Sequence, residues 1–275
     1  MTLRSLLFVP GDRPDRFAKA AASGADALIL DLEDAVAPDR KAEARKAIAD
    51  ALPGATVPMF VRVNPLDSSF HADDIAAIAG LPIAGVLLPK AEGAADVRRL
   101  AAELPGVPIL PIATETPKAI FALGSYGEVA EHLIGLTWGA EDLPAAIGAT
   151  TSRDENGDYH APYQLARSLT LFAAHAAGVP AIETVSPDFR DLQRLEIYAR
   201  AGFRDGFSGM MAIHPAQVPV INASFSPSPE QIEAARRVVD AFAADPAAGA
   251  LQIDGKMIDA PHLKAAQRLL AGISE

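Results

Sequence analysis

Eight short apolar runs punctuate this chain, and nearly all of them stop on a polar or charged residue. They read LLFV (6–9), ALIL (27–30), MFVRV (59–63), GVLL (85–88), PILPI (108–112), LIGLTW (133–138), AIETV (181–185) and MMAI (210–213). At or just beyond their ends stand Gly11-Asp12-Arg13, Asp31 with Glu33 and Asp34, and Arg62 with Asn64. Lys90, Thr114-Glu115, Glu141-Asp142, Glu183 and His214 continue the series. Helical stretches lie between the runs, at 14–22, 39–51, 71–79, 93–103, 117–122, 125–131, 162–177 and 187–201. Ser186-Pro187 places a capping residue before a proline at the first helical position of the last of these. Strand and helix alternating at short intervals favour parallel βαβ units. A doubly wound sheet shares that pattern but gathers its polar strand ends at one switch point. Eight strands with polar residues on most of their ends instead predict an α/β chain folded as a (β/α)8 TIM barrel, whose active site lies at the C-terminal strand ends.

The pattern changes after His214-Pro215. Ser228-Pro229-Glu230-Gln231 reads as a capping box, followed by an apolar face of Ile232, Ala235, Val238, Val239 and Phe242. A Gly/Pro-rich break at 245–249 leads to IDGKMIDAPH and a last helix at 261–272. The chain is therefore expected to comprise a barrel domain at 1–222 and a C-terminal helical extension at 223–275. That extension packs either on the barrel's outside or on a neighbouring subunit. The polar stretch 150–160 reads equally as a solvated loop and as an active-site lid.

Composition narrows the function. Half of the residues are hydrophobic but only 6% are aromatic, so aliphatic side chains must fill the core. The absence of cysteine excludes disulfides, thiolate metal sites and cysteine nucleophiles. A net charge of −11 argues against nucleic-acid binding, which rests on phosphate neutralisation. No apolar run approaches the roughly 20 residues that span a bilayer, and a strand by Leu6 leaves no room for a leader. A cytoplasmic protein is the expectation.

Carboxylates at strand ends carry the chemistry. Glu115 and Asp142 follow the fifth and sixth runs, and adjacent barrel strands lie about 5 Å apart. Together they would form an oxygen-lined site suited to Mg²⁺ or Mn²⁺, with open positions for water and substrate. Arg62 shares a strand face with Phe60 and Asn64, and a charge there needs a partner. It either pairs with Glu33 or Asp34 or reaches into the site to bind a carboxylate or enolate oxygen, and both readings can hold. Lys90 suits an ion pair or a phosphate contact better than a Schiff base. His214 stands at the end of the eighth run, and Arg13, Arg16 and Lys19 form a basic group after the first.

These residues also carry a family resemblance. RSLLFVPGDRPDRFAKA, ALILDLEDAVAPDRKAEAR, FVRVNP, LLPKAE, ETP, WGAEDL, AIHPAQV, INASFSPSPEQI and DGKMIDAPHLKAA, in that order over about residues 3–270, resemble the citrate lyase β-subunit-like family. That family includes malyl-CoA and citramalyl-CoA lyases, and AEDLPAAIGATTS is similar to its stand-alone citramalyl-CoA lyase-like branch. The resemblance implies a Mg²⁺-dependent carbon–carbon lyase acting on an acyl-CoA thioester and a small α-keto acid. It implies Glu115 and Asp142 as metal ligands, Arg62 on the substrate, and Glu33 and Asp34 around the metal. Phe8, Lys19, Ile213 and His214 would hold the CoA thioester. Asp259 would be the catalytic acid/base, supplied by the tail of a neighbouring subunit in a homotrimer or hexamer. Met210 and the Glu183 and Ser186 of AIETVS depart from the family pattern. A metal-dependent aldolase acting on free keto acids, and a non-catalytic subunit of a larger lyase, are the alternative readings.

Overall fold

A computed structural model describes residues 3–272, which divide into two compact units at 3–223 and 224–272. The first unit alternates strands and helices. Its strands are β1 (Ser5–Pro10), β2 (Ala27–Asp31), β3 (Met59–Arg62), β4 (Gly85–Leu88), β5 (Ile109–Pro111), β6 (Leu136–Thr137), β7 (Ala181–Glu183) and β8 (Gly209–Ala212). Between and after them lie α1 (Phe17–Ala21), α2 (Lys41–Ala51), α3 (His71–Ile78), α4 (Ala94–Glu103) and α5 (Pro117–Ala122), then α6 (Asp142–Ile147), α7 (Ala161–Ala177), α8 (Leu192–Asp205) and α9 (Val218–Ser224). All eight strands are parallel, in the order β5-β4-β3-β2-β1-β8-β7-β6. The sheet curls into a nearly closed barrel. Its seam between β5 and β6 is joined by two isolated parallel bridges, Ile109 to Leu133 and Ile112 to Thr137.

Period-two alternation decides which side chains fill the barrel. Leu6, Ala27, Ile29, Phe60, Leu87, Leu110, Ile182 and Met211 form one buried cluster. This is the layered interior of a packed barrel and not a pore. Gly85 belongs to that packing, because a Cβ there would stand 2.6 Å from the Phe60 ring. Met210, next to Met211, is also fully buried but falls on the opposite face of β8. The departure at this position is therefore a buried apolar residue and not a rim group.

One boundary differs from the sequence expectation. Ser186-Pro187 does not start the eighth helix, which begins at Leu192, where the Asp191 side chain accepts a hydrogen bond from the Arg194 N–H. Aspartate caps as well as serine does, and it sits directly before the apolar periodicity.

The second unit holds α10 (Pro229–Ala244), an antiparallel hairpin of β9 (Ala250–Ile253) and β10 (Lys256–Asp259), and α11 (Ala260–Ala271). The expected capping box is present, with Ser228 Oγ accepting from Gln231 N–H and the Gln231 side chain accepting from Ser228 N–H. The extension is thus not purely helical. Asp254-Gly255, both at positive φ, make the two-residue hairpin turn. No helix among the described residues is long and apolar enough to cross a membrane.

Candidate active site

Strand register brings the charged ends together. Asp31 ends β2 and is the cross-strand neighbour of Arg62 at the end of β3. Arg62 forks onto it, with Nε and Nη2 each 2.7 Å from a carboxylate oxygen, and Nη1 lies 2.9 Å from Glu33. The sequence expectation gave Arg62 either Glu33 or Asp34. The partners are Glu33 and, beyond that expectation, Asp31. Burial opposes the charge on Arg62, but the two carboxylates outweigh it and hold the guanidinium pKa above its ordinary value. Phe8 lies beneath, with its ring centroid 4.9 Å from the guanidinium carbon. Asn64, expected on the same face as Arg62, lies past the end of the strand, where its amide donates to Asp74 and to the Leu32 carbonyl.

Glu115 and Asp142 flank the β5–β6 seam, as their positions after the fifth and sixth runs predict. Glu115 is buried, and its carboxylate accepts the backbone N–H of Lys90. Burial pushes its pKa up to about 8, with Asp142 and Glu33 adding to the effect and the Lys90 N–H opposing it. Gly139 makes the room, since a Cβ there would lie 2.6 Å from Glu115 Cγ. The Lys90 ammonium stands 2.6 Å from Glu33, 3.4 Å from Asp142 and 3.9 Å from the largely exposed Asp34. Burial lowers the lysine pKa, yet Glu33 and the other carboxylates raise it more, so the amine stays protonated. That rules against a free-amine nucleophile and leaves Lys90 as an ion-pair partner.

The mouth therefore gathers the five acids Asp31, Glu33, Asp34, Glu115 and Asp142 with fewer cations: Arg62, Lys90 and, behind them, Lys41, whose ammonium donates to the Leu32 and Glu33 carbonyls. Among the described residues no group of three or more His, Cys, Asp or Glu side chains is arranged as a metal cage. Hard oxygen donors in excess negative charge fit a divalent cation that keeps part of its shell for water or substrate.

Part of this cluster opens into a cavity of about 260 Å³, while Glu33, Asp34 and Lys90 are not among its lining residues. Arg62, Glu115, Asp142 and Asp31 line its polar side. Phe8, Ile112, Trp138, Val185, Met211 and Ile213 line its apolar side. Lys19 is exposed on α1 and is not among the lining residues. His214 is not either: its Nδ1 accepts from the Ala216 N–H and its ring stacks on Phe189. Asp259 lies in the second unit, where its carboxylate oxygen is 2.5 Å from His262 Nδ1. Sequence reasoning missed Trp138, whose indole N–H donates to the buried Glu183 at 2.5 Å. Glu183 also accepts from Tyr198 Oη, Arg167 Nε and the Thr184 N–H. A carboxylate with no solvent access is only tolerable with donors of this number and charge.

The 150–160 stretch is not simply solvated. Tyr159 is buried with its ring edge-on to Trp138, at 5.0 Å between centroids.

The chain is similar to known proteins along nearly its whole length. The family model of the HpcH/HpaI aldolase/citrate lyase family matches residues 4–215. A citrate lyase subunit beta-like protein of Mycobacterium tuberculosis is 39% identical over 98% of this chain and 95% of its own length. A (3S)-malyl-CoA thioesterase of Cereibacter sphaeroides is 35% identical over 98% and 93%. The crystal structure of CitE from M. tuberculosis in complex with magnesium, acetoacetate and coenzyme A superposes with a TM-score of 0.89. It is 37% identical and covers 100% of this chain and 99% of that one. An eight-stranded barrel with acidic strand ends, matched along nearly its whole length, places this chain in the HpcH/HpaI aldolase/citrate lyase family.

Proposed function

We propose that this protein is a Mg²⁺-dependent carbon–carbon lyase. It cleaves, or in reverse forms, a β-hydroxyacyl-CoA such as citramalyl-CoA or malyl-CoA, with acetyl-CoA and pyruvate or glyoxylate as the other side of the reaction. The observation that carries the reading is the convergence of Glu115, Asp142 and Arg62 on one small cavity. Magnesium bound by relatives such as CitE of M. tuberculosis supports it. Glu115 and Asp142 would hold the ion, and Mn²⁺ suits the same donors. Bound there, the ion supplies Lewis-acid polarisation of keto-acid oxygens.

The chain's own groups do the rest. Two Arg62 N–H groups are engaged by Asp31 and Nη1 stands 2.9 Å from Glu33; the N–H groups turned away from both carboxylates bind the carboxylate or enolate oxygen that gains charge. Glu33, Asp34 and Lys90 fix the positions of Arg62 and the acidic pair. Phe8 and Ile213 contact the thioester arm in the cavity, and Lys19 and His214 contact the CoA further out. Asp259, from a neighbouring copy in a homotrimer or hexamer, takes the proton of the substrate hydroxyl. The carbon–carbon bond electrons pass into the thioester carbonyl, the keto acid leaves, and the enolate carbon is reprotonated to acetyl-CoA. The protein works in the cytoplasm on soluble thioesters, with no nucleic-acid or membrane partner.

Incubation with citramalyl-CoA and with malyl-CoA in Mg²⁺ tests this through release of a keto acid. No keto acid from either, with CoA thioester binding intact, refutes it. The thioesterase relative supports a second reading, hydrolysis of malyl-CoA. Release of free CoA thiol with malate, and no glyoxylate, would select it.

A further inference from the structure

A second, larger cavity of about 640 Å³ lies in the first unit, walled by the 150–160 loop and by α7 and α8. Its volume falls in the range of small-molecule sites. Its charged lining is Arg153, Arg167 and Arg194 against a single acid, Asp158, in a chain whose net charge is −11. None of these arginines belongs to the catalytic cavity.

The arginines are held differently. Arg167 is locked, with Nε 2.7 Å from the buried Glu183 and Nη1 2.8 Å from Asp205. The Arg153 guanidinium carbon lies over the Tyr159 ring, 3.9 Å from its centroid, and Arg153 bonds the Tyr159 hydroxyl. Its carboxylate neighbour is Glu141 at 3.8 Å. Arg194 bonds the Asn156 carbonyl and pairs at 3.0 Å with Asp158, whose side chain is 75% exposed. Water-screened pairs of this kind are worth about 0–1 kcal/mol. A carboxylate entering the cavity would meet two forked donors whose present partners compete weakly.

Beside the polar Asn156, Gln164, Ser168 and Ser186, the lining has an apolar part: Val185, Ile197, Ala201 and the ring of Tyr198. Ile197 is 63% exposed, so its side chain is open to cover by a ligand in the cavity. A bare inorganic anion would leave that surface and most of the volume uncovered. We propose that this cavity is a second ligand site, taking a small organic carboxylate whose charge is bound by Arg153 and Arg194 and whose hydrocarbon body covers Ile197 and Ala201.

Benzoate is a suitable probe, titrated on the full chain by saturation-transfer NMR, with neutral benzamide and inorganic phosphate as comparators. Benzoate is expected to bind in the millimolar range. Benzamide, phosphate, the Arg194→Gln variant and the cavity-filling Ala201→Phe variant should each weaken binding by about tenfold or more. Benzoate that does not bind, or binds both variants as it binds the unmodified protein, overturns the site. Phosphate or benzamide binding as tightly as benzoate overturns the assigned ligand class. Two unrelated variants, one removing charge and one removing space, keep the test decisive if either fails to fold.

Discussion

The backbone N–H of Lys90 donates to the carboxylate of Glu115, while the ammonium of the same lysine lies 2.6 Å from Glu33. One residue therefore organises two carboxylates through two different groups. Lys90 does so with φ at 52°, in the left-handed region that costs a non-glycine residue about 1–2 kcal/mol. The strain sits at the end of β4, where the main chain turns its amide toward the neighbouring strand end.

Glu115→Gln keeps an acceptor for the Lys90 amide and removes the charge. The carboxyl is buried, and its pKa is pushed up to about 8, so its ionised form is costly there. The variant should have an unchanged or higher Tm together with Mg²⁺ affinity reduced at least tenfold, about 1.4 kcal/mol. Calorimetric titration with Mg²⁺ checks this, and undiminished affinity removes Glu115 from the metal site.

Gly139→Ala should act on the same carboxylate without touching it chemically. Its Cβ would stand 2.6 Å from Glu115 Cγ and 3.0 Å from Ile112 Cγ2. Overpacking of this kind costs about 1–3 kcal/mol. Urea unfolding should show that loss, and Mg²⁺ affinity should fall with it.

Glu183→Ala leaves Arg167, Tyr198 and the Trp138 indole N–H without their shared acceptor. The expected destabilisation is about 3 kcal/mol, the lower end for breaking a buried ion pair, because Arg167 keeps Asp205. Trp138 is the only tryptophan in the chain, so its emission reports this wall of the cavity directly. An unshifted spectrum with unchanged stability would contradict the assignment.

Asp259→Ala should keep Mg²⁺ and substrate binding and lose most turnover. Mixing it with Arg62→Ala tests whether the site is shared between copies. Activity regained in mixed oligomers supports a shared site, and none regained places Asp259 outside the neighbour's chemistry.

Acid stability offers a check on the barrel's first strand. Burial pushes the Asp26 pKa up, but the Arg4 side chain and backbone N–H outweigh it, and the net pKa lies below the ordinary value. A depressed carboxylate contributes stability above its unfolded pKa of about 3.9 and loses it as pH falls through the folded one. Asp26→Asn should be less stable than the parent by about 1 kcal/mol at most at neutral pH, because the pair is partly solvated. The gap should close below about pH 4 in urea melts followed against pH.

The strand ends were legible in the sequence because burial and charge alternate on a period the chain itself displays. Glu115, Asp142 and Arg62 stood out as polar residues closing apolar runs. Asp31 did not stand out as the partner of Arg62, because that pairing depends on the register between β2 and β3, which no local pattern encodes. The Lys90 contribution is a main-chain group, invisible to any reading of side-chain types. The β9–β10 hairpin was readable from Asp254-Gly255 between two short runs that hold apolar residues, but the helical pattern on both sides drew the tail toward helix. Glu183 looked like one more strand-end acid, and only the approach of Trp138, Tyr198 and Arg167 from three other elements distinguishes it.

The barrel's strands are paired by continuous ladders everywhere but at the β5–β6 seam, which two isolated bridges hold. Glu115 follows the strand on one side of that seam and Asp142 the strand on the other. An ion shared by these two side chains would act as a rivet across the gap where the cylinder is least stitched. Chelation would then be felt as a loosening of the wall itself, with faster amide exchange around residues 109–115 and 133–142, well before any global unfolding.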